Sequence, residues 1–200
     1  MSAPVDEPAE VHVDLGAHSF AVMGDEGSVS LAIKAALVAN GARPVEDTPD
    51  LLIVIMPLVP ANDPADLPFR TIAEHGRAMA GRGDGRIVII LSALAGLPMR
   101  AHLDYSVAMA AATAAMRGLA MQLAPKILVN ALGAGVIEDD TGSLLSGDRG
   151  MLSHASLGRP GKIADLTNAV LFLCDPLNSY TTGQLLTVDG GWNVGYGRNF

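Results

Sequence analysis

Apolar residues along the chain form two kinds of segment, short β-branched runs and longer stretches with helical spacing. The short runs predict strands buried on both faces, at His18–Met23, Asp50–Met56, Arg86–Leu91 and Lys126–Asn130. The longer stretches predict helices at Val29–Asn40, Pro68–Ala80, Asp104–Ala124 and Ile163–Cys174. Strands that alternate with helices are typical of an α/β fold around a parallel sheet.

Length, composition and charge restrict the class of protein. The 200 residues, half of them hydrophobic, suit a single domain, predicted over residues 18–200 after an acidic N-terminal tail over residues 1–17. The net charge of −8 argues against a nucleic-acid surface. No apolar run of about 18 residues is free of charges or helix breakers, so no membrane span is predicted. Cys174 is the only cysteine, the tail does not resemble a signal peptide, and a cytoplasmic location without a metal site is expected.

Two hydroxyl-bearing residues follow the third predicted strand. Ser92 stands where this strand ends, and Tyr105 comes thirteen residues later at the start of an Ala- and Met-rich helix. Ligands of an open α/β sheet bind beyond the carboxyl ends of its strands, so Ser92 is placed for chemistry. Met109 lies one helical turn beyond Tyr105, on the same face of the helix.

This spacing resembles the short-chain dehydrogenase/reductase family, in which a serine precedes a Tyr-x-x-x-Lys motif by thirteen residues. The resemblance implies a Rossmann-like, doubly wound and mostly parallel sheet, NAD(P) as cofactor, and Ser92 and Tyr105 as catalytic residues acting on a small carbonyl substrate. In the family the lysine binds the nicotinamide ribose and lowers the pKa of the tyrosine. Met109 occupies the lysine position, and its thioether carries no charge. An unassisted tyrosine has a pKa of about 10, too high for an effective general base at pH 7.

The predicted turn after the first strand departs from the family's dinucleotide motif, Thr-Gly-x-x-x-Gly-x-Gly. The glycines of that motif let the backbone approach a pyrophosphate. Gly24 matches the first of them, whereas Ser28 and Ser30 replace the other two. Asp25 and Glu26 add negative charge where the phosphates would lie. We therefore expect a degenerate cofactor site and no bound cofactor.

The chain is shorter than the family pattern in one region and close to it in another. Between the first helix and the second predicted strand the family has two strands and a helix, but here only Arg43–Asp47 remains as a short remnant. The sheet should therefore be reduced and lack the acidic residue that binds the adenosine ribose. The segment Thr141–His154 matches the family's substrate lid, and Ser179–Trp192 matches its last strand, which implies a subunit interface.

Three hypotheses for the function remain open. The lost cofactor features favour a non-catalytic subunit that assembles with an active homologous dehydrogenase. Assembly, as a homo- or hetero-oligomeric dimer of dimers, would use the helix Asp104–Ala124 and the segment Gly183–Phe200, with Trp192 and Arg198 as anchors. The second is an NAD(P)-dependent oxidoreductase with atypical cofactor binding. The third is a nicotinamide-independent isomerase, dehydratase or cyclase, in which Ser92 and Tyr105 donate hydrogen bonds to a carbonyl or enolate.

Overall fold

The computed structural model describes residues 12–60 and 68–195, which form an α/β fold of three layers. The strands in this part of the chain are β1 (Ser19–Gly24), β2 (Arg43–Pro44), β3 (Leu51–Ile55), β4 (Gly85–Ser92), β5 (Ile127–Ala134), β6 (Ile137–Glu138), β7 (Leu144–Ser146), β8 (Gly161–Lys162) and β9 (Leu185–Val188). The helices are α1 (Ser28–Ala39), α2 (Phe69–Arg82), α3 (Leu103–Leu123) and α4 (Ile163–Cys174). The central sheet is parallel throughout, in the order β2-β1-β3-β4-β5-β9. This confirms the predicted Rossmann-like, doubly wound architecture.

Both faces of the central strands are covered by helices. On one face the side chains of Leu52 and Ile87 pack in a cluster with residues of α2 and α3. On the other face Ile53 and Val88 pack in a cluster with residues of α1 and α4. Burying one such aliphatic side chain contributes about 1.5–3 kcal/mol, so the continuous apolar runs read from the sequence supply most of the core.

The sheet is reduced at its β2 edge, as the sequence predicts. The strand β2 has two residues, and it pairs with β1 only at Ser19 and Phe20. Beyond Phe20 the next three residues of β1 are partly exposed, and Gly24 is exposed. The chain therefore reaches β3 without the further strands that the family places between α1 and this strand.

The N-terminal boundary of the domain differs from the prediction. Residues 12–17 were assigned to a tail, but Val13 and Leu15 are buried in the cluster that covers α1. The amide of Val13 donates to Oδ1 of Asn40 at 2.6 Å, and the amide of Leu15 donates to the backbone carbonyl oxygen of Asn40 at 2.9 Å. Alternating apolar residues give this stretch a buried face, so the packed domain includes it. Residues 1–11 of the predicted tail lie outside the described residues.

Strand β5 is longer than predicted. The strand was predicted to end at Asn130, but the side chain of Asn130 bonds to the neighbouring segment and the strand continues past it. Its Nδ2 donates to the carbonyl of Thr181 at 2.8 Å, and its Oδ1 accepts from the amide of Gln184 at 3.1 Å. The strand continues to Ala134, which pairs with Ser92 of β4.

A smaller sheet in the order β7-β6-β8 lies beyond the end of β5. It carries the region that the sequence analysis identified as a substrate lid, including a 3₁₀ turn at Arg149–Ser153.

Among the described helices, none combines the length and the apolar character needed to cross a bilayer.

Candidate functional site

The fold brings Ser92 and Tyr105 into contact. Ser92 is the last residue of β4, and Tyr105 lies in the first turn of α3; their exposed fractions are 0% and 2%. The Ser92 hydroxyl lies close enough to the Tyr105 phenol to influence its pKa, and its Oγ accepts from the amide of Leu94 at 3.3 Å. The two hydroxyls predicted from the family spacing are therefore adjacent, but both are shielded from solvent.

The phenol of Tyr105 forms a hydrogen bond with the backbone. Its hydroxyl donates to the carbonyl oxygen of Pro57, in the segment after β3, at 2.5 Å. Burial raises the pKa of Tyr105 to about 12, and the smaller opposing effect of the Ser92 hydroxyl does not cancel this. At pH 7 the group is therefore protonated, and its proton points at a main-chain acceptor.

Met109 gives Tyr105 no electrostatic assistance. Its thioether is fully buried in the same apolar cluster as Tyr105, together with Met116 of the same helix. A neutral side chain in an apolar environment cannot stabilise a phenolate. The position that carries the family's lysine is therefore used here for packing.

The three predicted cofactor positions are explained by the local fold. Gly24 has φ +104°, and a Cβ at this position would lie 1.9 Å from the carbonyl oxygen of Ile55. The close approach of β1 and β3 therefore requires glycine even without a ligand. Ser28 is exposed at the start of α1, whereas Ser30 is buried within it, so these two hydroxyls do not share a surface.

The turn between β1 and α1 fits a dinucleotide pyrophosphate poorly. Oδ1 of Asp25 accepts a hydrogen bond from the amide of Gly27 at 3.2 Å. This backbone amide of the turn is therefore already bonded to a carboxylate. Asp25 and Glu26 are both exposed there, and two carboxylates repel phosphate groups. The strand β2 at this edge has only two residues, and both are exposed.

Contacts that the sequence analysis did not identify close the carboxyl edge of the sheet. The carbonyl oxygen of Pro57 accepts a hydrogen bond from the Tyr105 hydroxyl, and Nε2 of His102 lies 3.0 Å from Oδ2 of Asp148. Pro57 could have been suspected, because it follows the end of a central strand. The His102–Asp148 contact joins residues 46 positions apart, and neither belongs to a recognisable motif.

A separate pocket lies beyond β5 and β9. It encloses about 490 Å³, and its lining includes Met151, Leu157, Arg159, Asp165, Asp189 and Val194. Each carboxylate oxygen of Asp189 accepts a hydrogen bond from a backbone amide, one from Gly191 and the other from Asn193. Ser92 and Tyr105 are not part of its lining, so this pocket is distinct from the predicted catalytic pair.

Comparison with known proteins gives a family match over most of the chain. Residues 68–193 match the family model described as enoyl-(acyl carrier protein) reductase. The 3-oxoacyl-[acyl-carrier-protein] reductase of Aquifex aeolicus strain VF5 is 37% identical over 118 residues, which is 58% of this chain and 48% of that protein. The chain thus spans about half the length of the curated relatives that it matches.

Solved structures extend the likeness to nearly the whole chain. The 3-oxoacyl-[acyl-carrier protein] reductase of Brucella melitensis ATCC 23457 aligns with a TM-score of 0.75 at 18% identity, covering 96% of this chain and 97% of that one. A short chain dehydrogenase of Leptospira borgpetersenii with bound NAD⁺ aligns with a TM-score of 0.66 at 20% identity, covering 92% and 94%. At these identities the likeness establishes the fold alone.

Proposed function

The chain belongs to the short-chain dehydrogenase/reductase family, and we propose that it is a non-catalytic member, a subunit that assembles with an active homologous dehydrogenase and supports its activity. The observation that carries this proposal is the buried Tyr105 hydroxyl, which donates to the carbonyl of Pro57. A family tyrosine must exchange its proton with the substrate. With Met109 in place of lysine and a pKa of about 12, Tyr105 is poorly suited to that role.

The proposal includes the loss of nicotinamide nucleotide binding. Three features support it: the Asp25 carboxylate on the amide of Gly27, the serines at positions 28 and 30, and the two-residue β2. The pyrophosphate would meet negative charge, and the sheet edge at β2 offers only two exposed residues. Gly24 does not weigh against this, because the backbone of Ile55 already requires a glycine there.

The outer face of α3 supports assembly. Leu103, Val107 and Met121 on this helix are 63%, 60% and 78% exposed. Together with small residues on the same face of the helix they form an apolar stripe. The stripe comprises Leu103, Val107, Ala110, Ala114, Gly118 and Met121. A contiguous apolar stripe on a helix of this length marks an interaction site, and small residues allow a second helix to approach closely. We assign this stripe to the subunit interface.

The C-terminal region contributes to assembly in a different way from the sequence prediction. Trp192, expected as an interface anchor, is 4% exposed and packs inside its own chain. Arg198 lies outside the described residues. Apolar side chains of α4 and the segment up to β9 are exposed instead, namely Phe172, Leu177, Tyr180 and Leu186. We propose that these residues form the second interface of a dimer of dimers.

Reconstitution with a partner tests this function. The chain is tagged in its native organism, co-purifying chains are identified, and the dehydrogenase activity of a homologous partner is measured with and without it. The proposal expects a complete family dehydrogenase whose activity or stability increases on assembly. Ala114→Arg should abolish the effect, whereas Gln122→Arg, an exposed position outside the stripe, should preserve it. Carbonyl reduction by the purified chain alone would contradict the proposal.

A second candidate function is an oxidoreductase with atypical nicotinamide nucleotide binding. It is favoured by the start of α1, where Gly27 is the N-cap and provides no side-chain hydrogen bond. Backbone amides at such a helix start can bind phosphate. The Leptospira relative of similar fold contains NAD⁺. Direct titration of the chain with NADH and NADPH distinguishes the two candidates.

A further inference from the structure

The edge of the central sheet at β1 is open beyond Phe20. The pairing of β2 covers Ser19 and Phe20, and it ends where the amide of Val45 donates to the carbonyl of Phe20 at 2.9 Å. In a parallel strand both backbone groups of every second residue point to the same neighbouring strand. The amide and carbonyl of Val22 therefore point to this edge, and they pair with no strand in the part of the chain that the structure describes.

A groove of about 760 Å³ runs along this open edge. Its lining includes Ala35 and Val38 of α1, Met23 of β1 and His75 of α2. Val38 is 53% exposed, although it is apolar. A strand beside β1 would direct alternate side chains to the two faces of the sheet. Because α1 and α2 cover opposite faces, the groove can receive these side chains on both sides.

Carboxylates lie along the groove and at its end. Glu46 and Asp47 belong to its lining and are exposed, and Asp25 and Glu26 directly follow β1. None of these four forms an ion pair with another described residue. Lys34 is the single lysine or arginine among the described residues that line the groove. An occupant with basic side chains is therefore complementary in charge.

A second copy of this chain does not fit the edge. If two β1 strands paired antiparallel around Val22, Gly24 of one copy would lie beside Phe20 of the other, where Val45 is already bonded. Pairing centred on Gly24 would instead bring together the two carboxylates that follow β1 in each copy. Like charges placed opposite each other are destabilising.

We propose that the open edge of β1 binds an extended, basic segment of another protein, which joins the central sheet as a strand beside Val22–Gly24. Main-chain hydrogen bonds give such strand addition its affinity, and alternate side chains give it specificity. Apolar side chains of the segment contact Val38 and Val45. Its lysines or arginines face Glu46 and Asp47. The inference goes beyond the proposed subunit function, because this edge is separate from α3 and requires no dehydrogenase as partner.

Hydrogen exchange at the Val22 amide tests whether a strand is added. The probe is the synthetic peptide acetyl-Lys-Val-Arg-Val-Lys-Val-Arg-amide, and exchange in the full chain is followed by NMR. In the free chain the Val22 amide should exchange much faster than the Met23 amide, which belongs to the pairing of β1 with β3. At a peptide concentration about ten times the dissociation constant, exchange at Val22 should slow about tenfold. A peptide with glutamate at every basic position should have no effect.

Asp47→Lys tests the charge of the groove. It should weaken binding of the basic peptide about fivefold, through loss of an exposed ion pair. Asp84→Lys makes the same change at an exposed position that does not line the groove. It should leave binding within about twofold, because physiological salt screens charges beyond about 8 Å.

A peptide that is N-methylated at two adjacent central residues tests the main-chain bonds, since it keeps the charge but loses a backbone donor toward β1. It should bind about fivefold more weakly than the unmodified peptide. Three results would overturn the proposal: a Val22 amide already protected in the free chain, no peptide binding up to about 1 mM, or binding that leaves exchange at Val22 unchanged. None of them bears on nucleotide binding or on assembly through α3, so the subunit proposal is judged separately.

Discussion

Tyr105 retains its proton at physiological pH because its environment gives a phenolate neither solvent nor a cation. The family resemblance implied that Ser92 and Tyr105 act at one site, and the fold places the two side chains next to each other. The spacing could not show that the hydroxyl donates to Pro57, because this contact depends on how the segment after β3 folds back over the sheet edge. The identity of the two residues was thus predictable from the sequence, whereas their burial was not.

Met109→Lys should not restore dehydrogenase activity. The thioether is fully buried in an apolar cluster, so an ammonium group there would lack both water and a partner. We expect destabilisation of roughly 3–5 kcal/mol, the cost typical of an uncompensated buried charge. Urea unfolding measures this, with Met109→Leu as the control, expected to cost less than about 1.5 kcal/mol. A stable lysine variant that reduces small ketones would show that the site is open and the cofactor present.

Asp50 should make stability depend on pH in the acidic range. Burial alone would raise its pKa, but hydrogen bonds from the hydroxyl and amide of Ser19, with Arg82 and His18 nearby, outweigh burial and hold the pKa below its usual value. The folded state therefore binds the proton more weakly than the unfolded state. The stabilisation is complete above the unfolded pKa of about 3.9 and is lost as the pH falls through the lower folded value.

Comparison of Asp50→Asn with the wild type tests this dependence. At pH 7 the variant should be about 1–2 kcal/mol less stable, because hydrogen bonds to a charged acceptor are replaced by weaker ones. The difference should shrink as the pH falls below about 4. Asp84→Asn, an exposed change, serves as the control and should have little effect. A difference that persists unchanged at pH 2.5 would contradict the assigned role of the charge.

At the scale of elements, the sequence pattern located the four α-helices of the described residues to within two residues, and the strands β1, β3 and β4 to within one. Helix α4 was predicted at the residues where it occurs, and β3 and β4 were marked by continuous β-branched runs. The errors have physical causes. Asn130 was predicted as the last residue of a strand, although the strand continues to Ala134 and the Asn130 side chain bonds across to the segment before β9. Two apolar residues, Val13 and Leu15, were too few to reveal a packed segment.

Two glycine substitutions test whether the backbone itself requires a glycine at position 24, without any ligand. Gly24→Ala should destabilise the fold by at least about 2–3 kcal/mol, because φ is +104° and the new Cβ would collide with the carbonyl of Ile55. Gly81→Ala, where nothing lies within 4 Å of the new Cβ, should stabilise α2 by about 0.5–1 kcal/mol. Thermal unfolding of both variants provides the test. A harmless Gly24→Ala would mean that β1 and β3 do not approach as closely as described.

For the whole molecule, the exposed stripe on α3 predicts an oligomer. Light scattering at micromolar concentration should give a mass above that of one 20.6 kDa chain. Ala114→Arg should shift the chain toward smaller species, since a guanidinium would lie within the contact, whereas Gln122→Arg should not. A wild-type monomer with an exchange-protected α3 would contradict the predicted interface. The sequence predicted an unusually apolar helix, but only the fold shows which of its faces remains uncovered.

Calorimetric titration with NADH and NADPH tests the central claim most directly, because a subunit without a cofactor cannot carry out the family's hydride transfer. The full chain is titrated at 25 °C beside an intact family reductase as positive control. The Asp25 carboxylate, the two serines and the short β2 predict no saturable heat for either nucleotide at millimolar concentration. Saturable binding with a micromolar dissociation constant would contradict the account and favour an oxidoreductase with an atypical cofactor site.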